Sequence, residues 1–537
     1  MTHLLELTNL RIEGLGDEHW IPIVNNISLT LDRGEVVGLI GESGAGKSTL
    51  GLAAMGYVRR GCRIAGGSII FDGIELTTAP KEELYKLRGS RISYVAQSAA
   101  ASFNPAHRLI YQFAETLIHH GHAKFGEAKN KAIALYRRFL LPDPERVGYR
   151  YPHQVSGGQL QRAMVAMAMA CDPDVIIFDE PTTALDVTTQ IEILVAIREV
   201  TRHRNTGAIY ITHDLAIVAQ LADRIMVLRN GNLVEEGNTR LLLANPKQDY
   251  TRALLSVRKL REDKAQCEQS DVVLEVEDVS ASYVKGGKVL DDISFKVRQA
   301  KTVAVVGESG SGKTTVARVI TGLLPPLEGR ITFKGKVLAP DLKRRDRDSL
   351  RRLQMIYQMP DVALNPRHKV REILGRPLSF YFGMDARARE KRILELLEMI
   401  ELSSQYMGRY PSELSGGEKQ RICIARALAA QPDLIICDEV TSALDQLVAE
   451  EILKLLQRLQ NELSVSYLFI THDLATVKAI SDEIILMLRG RIVEQGLKKE
   501  ILTPPHHEYT ELLLSSVPEM DPDWLDGILK QRALKKG

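Results

Sequence analysis

The feature that most constrains this chain is an internal duplication. Ile211-Thr-His-Asp-Leu-Ala216 returns as Ile470-Thr-His-Asp-Leu-Ala475. Ser156-Gly-Gly returns at Ser415 and Asp179-Glu180 at Asp438-Glu439, all at one constant offset. Gly41-Glu-Ser-Gly-Ala-Gly-Lys-Ser48 returns as Gly307-Glu-Ser-Gly-Ser-Gly-Lys-Thr314 at a slightly larger one. Each half therefore carries the same parts in the same order, and the chain reads as one large domain written twice. The break falls in 258–271, RKLREDKAQCEQSD, which is almost wholly polar and has no apolar period, as in a linker. After it, Val272-Val-Leu-Glu-Val-Glu-Asp-Val alternates like a strand, as Leu4-Leu-Glu-Leu-Thr-Asn-Leu does at the start. The predicted organisation is domain one over 1–257, a linker over 258–271 and domain two over 272–537.

Composition narrows the class. With 45% hydrophobic and 26% charged residues among 537, the chain has material for a sizeable core per domain. A net charge of +2 argues against a surface built throughout for nucleic acid. The apolar stretch around Met164 to Ala170 stops at Asp172 and Pro173, well short of the ~20 residues a membrane-spanning helix needs. The opening MTHLLELTNLRIEG lacks the basic and apolar regions of a signal peptide, so a cytoplasmic chain is expected. Cys62, Cys171, Cys267, Cys423 and Cys437 form no CxxC pair, and buried thiols in a reducing compartment are expected rather than disulfides or a metal cluster.

Each half places a glycine loop between an apolar run and a helical segment. The runs are Val36-Val-Gly-Leu-Ile40 and Val303-Ala-Val-Val306. The first loop is Gly41, Glu42, Ser43, Gly44, Ala45, Gly46, Lys47 and Ser48, followed by Thr49. The second is Gly307, Glu308, Ser309, Gly310, Ser311, Gly312, Lys313 and Thr314, followed by Thr315. Strand, loop and helix in that order make a phosphate-binding loop. Glycines let backbone N–H groups approach phosphate, and the helix N-terminus adds its dipole. Lys47 and Lys313 then reach the β- and γ-phosphates of a nucleotide, and Ser48 and Thr314 offer a hydroxyl to Mg2+.

A second apolar strand ends in two acids in each half, Val175-Ile-Ile-Phe-Asp179-Glu180 and Leu434-Ile-Ile-Cys-Asp438-Glu439. Successive strand side chains point opposite ways, so one acid can hold metal while its neighbour faces the attacking water. Asp179 and Asp438 are assigned to Mg2+, and Glu180 and Glu439 to water activation. On its own the pair reads as a solvated strand end; beside a phosphate loop it reads as catalytic.

With these motifs in place the chain resembles the ABC ATPase superfamily. Its marker is an LSGGQ-like signature before a helix, here Val155, Ser156, Gly157, Gly158, Gln159 and Leu414, Ser415, Gly416, Gly417, Glu418. A serine cap and two glycines bring the backbone close to phosphate. The resemblance implies that each signature contacts ATP held by the opposite domain, Ser415 completing the site on Lys47 and Ser156 that on Lys313. It further implies that Gln97 and Gln358 link Mg2+ and water to a membrane partner. His213 and His472 are implied to hydrogen-bond the γ-phosphate, and Ala184-Leu-Asp186 and Ala443-Leu-Asp445 to communicate between sites. Tyr283 is implied to stack on adenine. The first half departs from the pattern: the corresponding place falls near Ile12 to Gly14, with Trp20 the nearest aromatic substitute. Val440 stands where the first half has Pro181, with the carboxylate kept.

The extensions narrow the resemblance. Asn245-Pro-Lys-Gln-Asp-Tyr250-Thr-Arg-Ala-Leu-Leu255 and Pro504-Pro-His-His-Glu-Tyr509-Thr-Glu-Leu-Leu513 are similar to the tails of ATPases serving oligopeptide, dipeptide and nickel importers. Ser102-Phe-Asn-Pro105, Ala363-Leu-Asn-Pro366 and Tyr151-Pro-His-Gln-Val fit the same group. The expected fold is α/β, two tandem P-loop domains, each with an antiparallel β subdomain and a helical insertion, 104–150 and 365–409. The implied function is an ATPase with ATP and Mg2+ that powers an importer from the cytoplasmic face of a bacterial inner membrane. Its implied partners are two permease chains and, indirectly, an external solute-binding protein, with the two halves pairing within one chain and no nucleic acid. The rival classes are a tandem ATPase acting on ribosomes or DNA and the energising subunit of another transporter. The basic run Lys343 to Arg352 is expected to be a solvated helical face.

Overall fold

The computed structural model describes residues 3–16, 19–182, 185–256, 270–283, 287–442 and 444–536. Most of the expected linker (258–269), Cys267, Ala184 and Ala443 lie outside the described residues. The chain divides into two compact units, Met1–Val257 with Pro518–Gly537, and Arg258–Val517.

The first unit starts with an antiparallel sheet. Strands β1 (Leu5–Leu15), β2 (Trp20–Leu31), β4 (Cys62–Phe71) and β5 (Ile74–Glu75) lie in the order β2-β1-β4-β5. Leu5, Leu7, Leu10 and Ile12 are buried, and a register shift between Leu7 and Leu10 at the left-handed Asn9 explains why the inward pattern skips one residue. The second sheet holds β3 (Val36–Ile40), β6 (Ile92–Val95), β7 (Val175–Asp179), β8 (Gly207–Ile211), β9 (Arg224–Arg229) and β10 (Asn232–Asn238) in the order β10-β9-β3-β8-β7-β6. All its pairs are parallel except β9–β10. Every residue of β3, β7 and β8 is buried, as continuous apolar runs in a sheet covered on both faces should be. This order puts the carboxyl ends of β3, β8, β7 and β6 side by side, the place where open α/β sheets bind ligands.

Between β6 and β7 the expected insertion is helical: Leu109–His119, Phe125–Arg138 and the helix Gly157–Ala168 that follows Ser156. Phe113 meets Tyr136 edge-on in its core, with ring centres 5.8 Å apart.

The second unit repeats the plan. Its antiparallel sheet runs β12 (Leu290–Arg298), β11 (Val272–Ala281), β14 (Glu328–Phe333), β15 (Lys336–Val337). Its main sheet runs β16 (Leu353–Ile356), β17 (Leu434–Asp438), β18 (Ser466–Thr471), β13 (Thr302–Val306), β19 (Glu483–Leu488), β20 (Arg491–Leu497). Helices Val370–Phe382 and Ala386–Met399 form its insertion. The basic run is laced with ion pairs: Lys336–Asp346 at 2.6 Å, Arg351–Asp348 at 2.9 Å and Arg352–Asp433 at 3.1 Å. Arg345 turns inward, donating to the carbonyls of Ala339 (2.9 Å) and Ile320 (2.5 Å).

The end of the chain departs from the sequence division. Pro518–Gly537, expected within domain two, group with the first unit. Gln220, on the helix Leu215–Leu221, donates to the carbonyls of Glu519 (2.7 Å) and Asp521 (3.0 Å) and accepts from the Leu525 amide (3.1 Å). Arg240 forks onto Asp523 at 2.9 and 2.6 Å, and Arg198 meets Asp526 at 2.6 Å. Leu525 is wholly buried. Among the described residues no helix is long and apolar enough to cross a membrane, and Cys62, Cys171, Cys423 and Cys437 are free thiols.

Candidate functional site

The phosphate loops emerge from β3 and β13, the strands with a parallel neighbour on each side. Gly41 must be glycine because a Cβ there would lie 2.1 Å from the Leu228 carbonyl oxygen; at Gly307 the same atom would lie 2.2 Å from that of Met487. Each loop turns through left-handed glycines, Gly44 and Gly46 or Gly310 and Gly312, into the helices Lys47–Ala53 and Lys313–Ile320. Lys47 Nζ donates to the carbonyls of Gly41 (2.7 Å) and Glu42 (2.8 Å), and Lys313 Nζ to those of Gly307 and Glu308 at the same distances. Each ammonium thus lies against the first two carbonyls of its own loop.

The next residue points at the strand end. Ser48 Oγ donates to Asp179 Oδ1 at 2.9 Å, and Thr314 Oγ1 to Asp438 Oδ1 at 3.3 Å. Burial pushes the Asp438 carboxyl up to about 6, with the charge of Glu439 adding to it and Thr314 and Lys313 opposing it. Burial also raises Asp179, against hydrogen bonds from Tyr94 and Ser48. A buried carboxylate beside a hydroxyl is a hard-oxygen donor set in want of a cation, which fits Mg2+. Tyr94 OH, donating to Asp179 Oδ2 at 2.5 Å, was not foreseen from the sequence. Met355 takes its place in β16, so the two aspartates differ in their neighbours.

Glu180 and Glu439 sit just past their strands in the left-handed region, at φ 49° and 50°. The expectation that strand alternation separates the two acids is therefore replaced: the strand stops at the aspartate, and a left-handed residue turns the glutamate away. Such a conformation costs about 1 kcal/mol or more outside glycine and is held by its surroundings. Gln97 Nε2 donates to Glu180 Oε2 at 2.9 Å, and His213 Nδ1 donates to Oε1 at 3.1 Å. In the second unit Gln358 and His472 hold Glu439 at 2.6 and 3.1 Å. Burial raises the Glu439 carboxyl, but the hydrogen bond and charge of His472, with Lys313, outweigh it and leave it below the ordinary value. Burial disfavours the charged imidazoles, yet the glutamate contacts raise both His213 and His472.

Within each unit, then, the loop lysine, the hydroxyl, the two acids, the glutamine and the histidine meet at adjacent strand ends. Ser156 and Ser415 stand elsewhere, exposed at helix starts. Each accepts a 3.3 Å bond from the backbone N–H three residues on, at Gln159 or Glu418, whose side chain reaches back to the serine N–H. This is the reciprocal cap that the spacing implies. The Tyr283 ring is half exposed, its hydroxyl 3.3 Å from Thr315 Oγ1 and accepting from Arg318 at 3.1 Å. Gly14 stands at its place in the first unit, two residues beyond Ile12 as Tyr283 is beyond Ala281. Trp20 lies under the Arg63 guanidinium, 4.2 Å from the ring centre, and Arg63 is paired with Glu13. Tyr250 and Tyr509 join the site from far along the chain, with no signal in the motifs: their hydroxyls accept from the N–H groups of Glu42 (3.2 Å) and Glu308 (3.0 Å) in the phosphate loops.

The ABC transporter family model matches residues 24–183 and 290–442, and the model for the oligopeptide/dipeptide transporter C-terminal region matches 493–535. The glutathione import ATP-binding protein GsiA of Salmonella choleraesuis (strain SC-B67) is 36% identical, covering 97% of this chain and 90% of that protein. The protein of the same name from Escherichia coli (strain K12) is 35% identical with the same coverage. The archaeal ribosome recycling factor aABCE1, solved with the ribosomal stalk protein aP1, shares the fold at 20% identity, with a TM-score of 0.61 over 89% of this chain and 88% of that one.

Proposed function

Because the chain belongs to the ABC transporter family of ATP-binding proteins, we propose that its two cassettes bind and hydrolyse ATP to power the import of a peptide or related small solute. The peptide-transporter C-terminal region and the relatives named as import ATPases support the peptide class. The observation that carries the reading is the glutamate held twice in the same way, with Gln97 and His213 on Glu180 and Gln358 and His472 on Glu439.

In this reading the loop N–H groups and Lys47 or Lys313 bind and orient the phosphates, the lysine exchanging its loop carbonyls for phosphate oxygens. Ser48, Asp179 and Gln97, or Thr314, Asp438 and Gln358, would hold Mg2+, which when bound neutralises charge on the β- and γ-phosphates. Glu180 and Glu439 accept the proton of the attacking water. Gln97 or Gln358 on Oε2 and the histidine on Oε1 orient each carboxylate, and a carboxylate oxygen has a second lone pair beyond the one such a bond uses. The histidine on Oε1 keeps the carboxylate aimed, and its other ring nitrogen is assigned to the γ-phosphate. The partners are two membrane permease chains and an external solute-binding protein, and the chain works at the cytoplasmic face of the membrane.

The test is Glu180→Gln with Glu439→Gln. ATP binding persists while turnover falls by about a hundredfold or more. Near-normal steady-state hydrolysis in the double variant overturns the assignment, and purification with ribosomes instead of permease chains overturns the import reading.

A further inference from the structure

The segments Asp249–Ser256 and Glu508–Ser515 are short helices that follow the edge strands β10 and β20. Each is pinned at its start by a glutamate of that strand. Glu235 accepts from the backbone N–H groups of Lys247 (2.8 Å) and Gln248 (3.1 Å). Glu494 accepts from the N–H of His507 (3.2 Å) and from the Thr510 hydroxyl. Pinning sets the direction of one tyrosine in each first turn, Tyr250 or Tyr509, both buried, and each hydroxyl ends on a phosphate-loop amide.

The amide concerned is the informative part. The N–H of Glu42 and the carbonyl of Gly41 belong to one peptide plane, within which they point in opposite directions. Tyr250 takes the N–H, and Lys47 Nζ takes the carbonyl at 2.7 Å. In the second unit Tyr509 and Lys313 grip the Gly307–Glu308 peptide in the same way. The lysine grip is temporary, since the same ammonium must leave for phosphate when nucleotide enters. The tyrosine grip does not compete with phosphate, because it lies on the opposite edge of the peptide from the lysine.

We propose that Tyr250 and Tyr509 are positioning residues that hold the first peptide of each phosphate loop in its nucleotide-receiving orientation after the lysine has let go. The proposal rests on the nucleotide-binding reading above and gives the C-terminal segments a task at the ATP sites. Burial, with the neighbouring Glu42, pushes the Tyr250 hydroxyl up to about 12, so it stays a neutral phenol across the physiological range.

The experiment uses the full chain with Tyr250→Phe, Tyr509→Phe and both together, which keep the ring and remove only the hydroxyl. The readouts are KM for ATP, kcat, the thermal midpoint, and hydrogen exchange of the peptides covering 38–50 and 304–316. Each single variant is expected to raise KM about five- to tenfold, as loss of one hydrogen bond to a part-buried amide implies. Expected alongside are kcat within about twofold, a thermal midpoint lowered by no more than about 2–4 °C, and faster exchange in the loop peptide of the substituted unit alone. Unchanged KM and unchanged loop exchange overturn the proposal. A lowered midpoint with unchanged KM also overturns it, because it assigns the tyrosines to packing alone. Failure of the unsubstituted chain to bind or hydrolyse ATP is a separate result, which overturns the functional reading instead.

Discussion

Gln220 is the residue whose change tests most sharply why the last twenty residues belong to the first unit. It is 4% exposed and makes three hydrogen bonds to the backbone of that segment, at Glu519, Asp521 and Leu525. Gln220→Leu keeps most of the volume and removes all three. At a net ~1 kcal/mol per bond, with the tail groups recovering water once they lift, the docked form loses about 3 kcal/mol, or roughly a hundredfold in its equilibrium with the undocked form. The pairs of Asp523 with Arg240 and Asp526 with Arg198 do not compensate. The first is exposed on both sides, where such pairs contribute about 0–1 kcal/mol, and both pairs are present before and after the change. The assay is native-state hydrogen exchange by mass spectrometry on the peptide covering 518–530. Its amides are expected to lose protection by about two decades, while β3, β7 and β8 keep theirs. Unchanged protection of 518–530 refutes the reasoning; so does equal loss across the whole first unit, which makes Gln220 a core residue rather than a docking one.

Two further outcomes follow from the site and its scaffold. Lys47→Ala and Lys313→Ala should each lower ATP turnover severely in a steady-state phosphate-release assay, since both sites keep lysine, hydroxyl, glutamine, glutamate and histidine; near-full activity in one variant marks that site as non-hydrolysing. Asp174 accepts from Arg33 at 2.8 Å and Arg91 at 2.7 Å; burial opposes its ionisation, but the two guanidinium groups outweigh burial and hold its carboxyl below the ordinary value. Its stabilisation is therefore fully present above the unfolded value of about 3.9 and is lost as pH falls below it. In urea unfolding the difference between the native chain and Asp174→Asn should be constant above about pH 5 and shrink towards pH 3; a difference that widens on acidification contradicts the pairing.

Much of this protein was legible in one dimension because its chemistry is local. A phosphate loop is eight consecutive residues between a strand and a helix, and the serine caps at Ser156 and Ser415 need only the residue three further on. The duplication then supplied the count of two cassettes and pointed to Glu180 and Glu439, the glutamates proposed to activate water, in register with each other. Tertiary structure decided what depends on residues far apart in the chain. It turned Glu180 and Glu439 aside by a left-handed backbone, where strand alternation had been expected to do so, and it set Tyr94 on Asp179 in one unit only. It brought Tyr250 and Tyr509 some two hundred residues back to their loops. It also seated Leu525 in the first unit, although the chain reaches that residue through the second. Burial of an apolar side chain has no direction of its own, so a pattern can say that Leu525 will be buried but not where. The choice of groove lies in the polar partners that await there, Gln220, Arg240 and Arg198, and their convergence on the tail exists only once the chain has folded.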